Sequence, residues 1–250
     1  MASREEQKRK LREQREAAEK AAAHTAELRK RTAYLAAGVG LIALIVVVSL
    51  VLVSQSGDDD KKVETTDVFA GIPQKDITLG DPDAPVTVIE FADLQCPFCR
   101  DFAVHDLPGI VKKYVKPGDV KMELRLLAFI GPDSSTGREV AAGAAEQSLI
   151  WPFAENVYNN QGTENSGYMT TEFLREQAEA VPGLDAQRAL DAAGSPFAQK
   201  YADESDSEAQ KQGVSSTPSF AVTPDGGETK VVDADGLSDA IDDAISQAKG

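Results

Sequence analysis

Residues 85–102 read PVTVIEFADLQCPFCRDF, and this stretch limits the possible folds more than any other part of the chain. Pro85 to Asp93 is a short, β-rich apolar run of the kind that forms a buried strand. Two residues later come Cys96 and Cys99, the only cysteines among 250 residues. Positions i and i+3 share one face of a helix's first turn, so the two sulfurs can close a small ring. Pro97 suits the first helical position, where a missing N–H costs nothing. That places Cys96 at a helix N-terminus, where unpaired amides and the helix dipole favour the thiolate. The thiolate is the species that attacks disulfides. Cys99, one turn further in, is expected to be more buried and to act as the resolving thiol. Phe98 adds apolar surface between them without charge.

Other uses of two cysteines fit less well. A structural zinc site needs four ligands, and the globular part of the chain supplies two cysteines and His105. Haem attachment needs a histidine directly after the pair, and Arg100 stands there. A purely structural disulfide over so short a loop constrains little. A pair that directly follows a strand and opens a helix reads as redox-active, with no metal and no bound cofactor implied.

The rest of the chain places this pair outside a membrane. Residues 1–32 carry ten Lys/Arg and six Asp/Glu and are rich in helix formers, with opposite charges four apart such as Glu16 and Lys20. They read as a solvated helix without a core. Ala33 to Val53 is an uncharged run of 21 residues, long enough as a helix to span a bilayer's hydrocarbon core. RKRT precedes it and GDDDKK follows, so the N-terminus is expected in the cytoplasm and residues from about 54 outside. The SQSG segment after the span leaves cleavage open. Residues 54–75 read as a polar, acidic tether. Residues 33–250 carry 16 Lys/Arg against 35 Asp/Glu, a net of −19, which excludes a nucleic-acid binder.

From residue 76 a globular pattern begins. A helix from about Cys96 to Val115 joins the first strand to a second at Val120–Ile130, a βαβ unit with a right-handed crossover. Residues 133–212 look almost wholly helical, with helices over GREVAAGAAEQSLIW, TTEFLREQAEAV and DAQRALDAAG. SFAVT and TKVV flank a PDGG turn and read as a hairpin. The last helix aligns Leu237, Ala240, Ile241, Ala244, Ile245 and Ala248 in one apolar stripe.

On these residues the chain resembles the thioredoxin superfamily, and within it the DsbA-like, membrane-anchored thiol–disulfide oxidoreductases. DPDAPVTVIEFADLQCPFC resembles that family's opening strand and active site. GVSSTPSFAV resembles the segment whose cis-proline faces the cysteines, here Pro218 after Thr217. SLIWPFAENVYNNQ resembles the middle of the family's inserted helical subdomain. The likeness covers residues 76–250. It implies an α/β, thioredoxin-like fold: a mixed sheet with helices on both faces and a helical insert over about 133–212.

The resemblance also implies roles. Cys96 forms the mixed disulfide, Cys99 resolves it, and Pro218, Thr217, Phe98 and Pro97 shape the peptide groove. Glu90 matches a buried acid six residues before the first cysteine; it is either a plain polar residue at a strand end or, if burial raises its pKa, a proton carrier for Cys99. Implied partners are exported proteins with cysteine thiols and a membrane reoxidase. Donation of disulfides is the expected activity. A reductase or isomerase of extracytoplasmic thiols and a non-enzymatic redox sensor are the alternatives. Phe98 stands where enterobacterial DsbA has a histidine, so a milder oxidant is expected. His105 lies nearly two turns beyond Cys99 and reads as a surface histidine.

Overall fold

Pairing on both edges places the largely buried strand Val86–Ala92 at the centre of a sheet. The structure, a computed structural model, describes residues 68–249. The charged helix, the apolar span and the tether as far as residue 67 lie outside the described residues. Among the described residues no helix is long and apolar enough to cross a membrane. The packed unit starts before residue 76. Phe69 and Ile72 are already buried, and β1 (Gln74–Lys75) pairs with β2 (Thr78–Leu79). Strands of two residues leave no periodicity in a sequence, and β1 falls within the stretch 54–75 that reads as tether.

Six strands form one sheet in the order β1-β2-β4-β3-β5-β6. β3 (Val86–Ala92) runs parallel to β4 (Val120–Leu126) and antiparallel to β5 (Ser219–Pro224). β5 continues into β6 (Lys230–Val232) as the expected hairpin. Val86, Val88 and Ala92 join Val120, Met122, Leu124, Phe220 and Val222 in the main core. On the other face Phe91 packs with Leu127, Ala209 and Ala221. Both faces are therefore covered, as the apolar run at 86–92 requires.

The helix after the cysteines is not uniform. It runs as α1 (Pro97–Asp101), a π turn at Phe102–Asp106, α2 (Leu107–Ile110) and a second π turn at Val111–Val115. Leu107 N–H reaches back five residues to Phe102 O. Pro108, with no N–H to donate, follows immediately, and a widened turn is how a helix accommodates such a gap.

The insert comprises α3 (Pro132–Ala145), α4 (Ile150–Asn159), α5 (Thr171–Glu179), α6 (Ala186–Asp191) and α7 (Pro196–Lys211). The helix expected through residues 137–151 is broken at Ser148, which has φ 60°. Leu149 N–H bonds Ala144 O and Ser148 N–H bonds Ala145 O, the paired closure of a helix C-terminus that usually takes glycine. Thr170, Asp185 and Ser195 cap the next three helices through their side-chain oxygens. α8 (Ala234–Ala248), capped by Asp233, buries Leu237, Ala240, Ile241 and Ala244.

One buried side chain joins these parts. Asp93, fully buried at the end of β3, accepts from Gln95 N (2.9 Å) and Ser134 Oγ (2.6 Å) on one carboxylate oxygen. The other oxygen accepts from Phe129 N (2.9 Å) and Ile130 N (3.1 Å). Leu127 N–H still bonds Ala92 O of β3, but the amides of Phe129 and Ile130 bond the Asp93 side chain instead of a strand, so β4 does not run on to Ile130. Gln95 extends the network, donating to Ser134 Oγ and accepting from Asn165 N. Asp93→Ala leaves two buried and two part-buried donors without an acceptor, at a cost of about 1–3 kcal/mol for each buried one before relaxation. A loss of about 3–5 kcal/mol is expected in urea unfolding of the reduced protein, with Asp93→Asn losing less because one acceptor oxygen remains.

Candidate active site

Cys96 is the N-cap of α1, with extended backbone (φ −71°, ψ 120°), and Pro97 begins the helix. Arg100 N–H donates to Cys96 O at 3.0 Å, the first intrahelical bond. Gln161 Nε2 donates to Leu94 O (2.8 Å) and Cys96 O (3.2 Å), fixing the turn from the insert side. Both cysteines are free thiols, so the pair is reduced. Cys96 is 5% exposed and Cys99 fully buried.

The two thiols are driven apart in acidity. The Cys96 pKa falls from 9.0 to about 6. The largest cause is a hydrogen bond from the Cys99 thiol; Thr217 and the backbone N–H groups of Cys99 and Phe98 add to it, against an opposing contribution from burial. As a thiol, Cys96 Sγ donates to Thr217 O at 3.3 Å. Cys99 is pushed well above its ordinary value, first by burial and then by the Cys96 sulfur beside it. The helix end was expected to supply most of the effect on Cys96. Instead the partner thiol contributes more than the amides do. Arg100 is turned away, its Nε donating to Tyr158 O at 3.1 Å.

The Thr217–Pro218 bond is cis. A groove of about 300 Å3 beside the pair is lined by Phe98, Phe102, Thr217, Pro218 and the carboxylates of Asp101 and Asp233, among others. Phe98 is 72% exposed. Three of the four expected groove residues are thus together; Pro97 is exposed at the helix start but does not line the groove. His105 is exposed and pairs with Asp101 one turn back, at 3.0 Å.

Glu90 is 2% exposed in the middle of the sheet, between Leu124 and Phe220. Burial raises its pKa from 4.5 to about 8. Glu90 is thus buried in the sheet rather than a plain polar residue at an exposed strand end. It lines a small chamber with Leu107, Leu124, Trp151 and Tyr158, in which Cys99 is not among the walls. Tyr158 lies within the electrostatic reach of both: it is fully buried, donates to Asp93 O at 3.4 Å, and its pKa is raised by burial and then by the charges of Cys99 and Glu90.

The sequence did not single out Asp93, Gln95, Tyr158 or Gln161. A signal existed for Asp93, an acid at the end of an apolar strand directly before the cysteines. Tyr158 and Gln161 reach the site only through tertiary packing. Among the described residues no three His, Cys, Asp or Glu side chains gather to hold a metal ion.

A family model described as thioredoxin matches residues 73–243. The probable disulfide bond formation protein D of Bacillus anthracis is 32% identical over 212 residues, covering 82% of this chain and 93% of that one. The disulfide bond formation protein D of Bacillus subtilis is 28% identical over 173 residues, 66% of this chain and 76% of that one. Among solved structures, oxidised BdbD from Bacillus subtilis superposes with a TM-score of 0.61 at 23% identity, covering 70% of this chain and 97% of that chain. DsbA from Chlamydia trachomatis gives 0.56 at 21%, covering 69% and 91%.

Two measurements check the electrostatics. Thiolate absorbance of Cys96 in the reduced protein is expected to titrate with a midpoint at about 6, and Thr217→Val is expected to raise that midpoint. For Glu90, a raised native pKa means the folded state keeps its proton longer than the unfolded chain. Its contribution to stability is full below about 4.5 and is lost as pH rises through about 8. Glu90→Gln is therefore expected to gain on the wild type across that window, by up to about 1.4 kcal/mol per pH unit in urea unfolding.

Proposed function

Since this chain belongs to the thioredoxin family and is a DsbA-like thiol–disulfide oxidoreductase, we propose that its CPFC pair donates disulfides to exported proteins. The observation that carries this reading is the opposed acidity of the two sulfurs: Cys96 lowered to about 6, Cys99 raised. Stabilising the reduced form through a Cys96 thiolate makes the disulfide oxidising.

The exchange balances as follows. A client thiolate attacks the Cys96 sulfur of the oxidised pair, the S–S bond breaks, and its electrons leave on Cys99, which takes a proton. A second client thiolate then attacks the client sulfur of the mixed disulfide and releases Cys96 as a thiolate. The client has lost two electrons and the enzyme has gained them. Glu90, neutral below about pH 8, is the proton source for Cys99, with Tyr158 between them. Pro218, Thr217 and Phe98 line the groove where the client's extended backbone lies, a β-augmentation mode.

Return to the disulfide requires an oxidant. By family analogy this is a membrane reoxidase whose own disulfide reverses the steps above. The uncharged run at 33–53 after RKRT supports a single-pass anchor with the catalytic domain outside the cytoplasm.

In Cys99→Ala the Cys96 thiolate can still attack a client disulfide, breaking its S–S bond, and no partner thiol remains to displace it, so that covalent client complexes accumulate on non-reducing gels; Cys96→Ala should abolish them. Equal trapping by both variants would sink the assignment of roles. The reduction potential measured against glutathione is expected between about −270 and −120 mV, the values for thioredoxin and DsbA. Phe98 offers the Cys96 thiolate no side-chain donor, so Phe98→His should move the potential in the oxidising direction. A wild-type potential as reducing as thioredoxin's would favour the reductase reading instead.

A further inference from the structure

Glu90 Oε2 is buried without a hydrogen-bond partner in the described residues. It belongs to the chamber walled by Leu107, Leu124, Trp151 and Tyr158, whose volume is about 10 Å3, room for about one water. Glu155, half-buried on α4, also lines this chamber. Glu155 also lines a second cavity of about 550 Å3, together with Phe69, Ile72, Asn156 and Val181. It is the one residue common to the two linings. The larger cavity reaches the surface between the exposed residues Ala70, Gly71, Ala180 and Pro182. It shares no residue with the groove beside Cys96.

We propose that Glu155 is a positioning residue for proton transfer, passing protons between Glu90 and bulk water through the larger cavity while a client covers Cys96. The inference rests on Glu90 being the proton partner of Cys99. When the S–S bond breaks, Cys99 takes the Glu90 proton and a carboxylate is left in the apolar chamber. A charge there is costly, and the client docked in the groove blocks the route past Cys96. Water in the chamber, hydrogen-bonded to Glu155, returns the proton to Glu90. Reoxidation runs the same route outward, because Cys99 must lose its proton to attack the mixed disulfide. The titratable groups facing Glu90 are Tyr158 and Glu155, both from α4. Cys99, Cys96 and Asp93 act on Tyr158 from its other side. The helical run contributes Ala103 and Leu107, which carry no charge.

The test is single-turnover oxidation of a dithiol peptide by the oxidised full-length protein, from about pH 5 to about pH 9, with Glu90→Gln, Glu155→Gln and Glu155→Asp. Glu155→Gln is expected to slow the reaction by about tenfold, less than the ~100-fold or more of a direct general acid or base, because Glu155 acts through Glu90. The lost rate should return as acetate or imidazole is added, since a small acid can replace the missing carrier. Glu155→Asp should keep most of the wild-type rate. The Cys96 titration midpoint and the glutathione equilibrium should not move in either Glu155 variant. If Glu90→Gln is slow but Glu155→Gln runs at the wild-type rate without buffer dependence, the exit route is wrong and the role of Glu90 stands. If Glu90→Gln runs at the wild-type rate, the role of Glu90 falls and this inference with it. A Glu155→Gln variant that shifts the Cys96 midpoint or the potential in step with the rate has a structural effect, and the proposal is overturned.

Discussion

The carboxylate of Asp93 accepts four hydrogen bonds in a fully buried position, and the geometry of the cysteines depends on it. Two of those bonds hold the loop after β4, one holds the first turn of the helical insert, and one holds the turn that leads to Cys96. The sheet and the insert therefore meet at the residue where the active-site turn begins. Gln95 and Gln161 repeat the arrangement on either side of Leu94, each tying the turn to the insert. A loop anchored in this way presents Cys96 with its helix start already formed, so the amides that receive the thiolate need no reordering when a client arrives.

The same economy governs the acids and thiols. Burial raises Glu90 and Cys99 alike, so neither holds a charge comfortably. Cys96, at the edge of the core, receives donors from its partner thiol, from Thr217 and from two amides. Placing one sulfur at a helix start and the other a turn deeper separates a leaving group from a buried thiol by three residues of sequence. The third ingredient, the cis segment at Thr217–Pro218, comes from the far end of the chain.

Much of this was legible in the sequence, for particular reasons. The strand at 86–92 stood out because both of its faces are buried, which leaves an unbroken apolar run. The position of Cys96 followed from Pro97. The C-terminal helix followed from its stripe. What was not legible depended on partners distant in the chain. The end of β4 is decided by Asp93, 36 and 37 residues away from the amides it captures. The break at Ser148 uses a non-glycine residue at positive φ, a choice that composition does not betray. Tyr158 lies in a segment whose resemblance to the insert was noted, but only tertiary packing brings its hydroxyl to Asp93 O at the end of β3. The weight of the partner thiol in lowering Cys96 also had to be seen in place.

The register of β3 with β5, Val86 opposite Pro224 and Phe91 opposite Ser219, sets an order in time. The two strands are separated by the entire helical insert, so the contact is long-range and closes late. A chain that emerges N-terminus first presents its cysteines more than a hundred residues before Thr217 arrives to hydrogen-bond Cys96. Until then Glu90 lacks the neighbour strand that carries Phe220, and its environment stays wet. An incomplete chain thus lacks the contribution of Thr217 to Cys96, and the full separation of the two thiols waits until the last seventh of the sequence has joined the sheet.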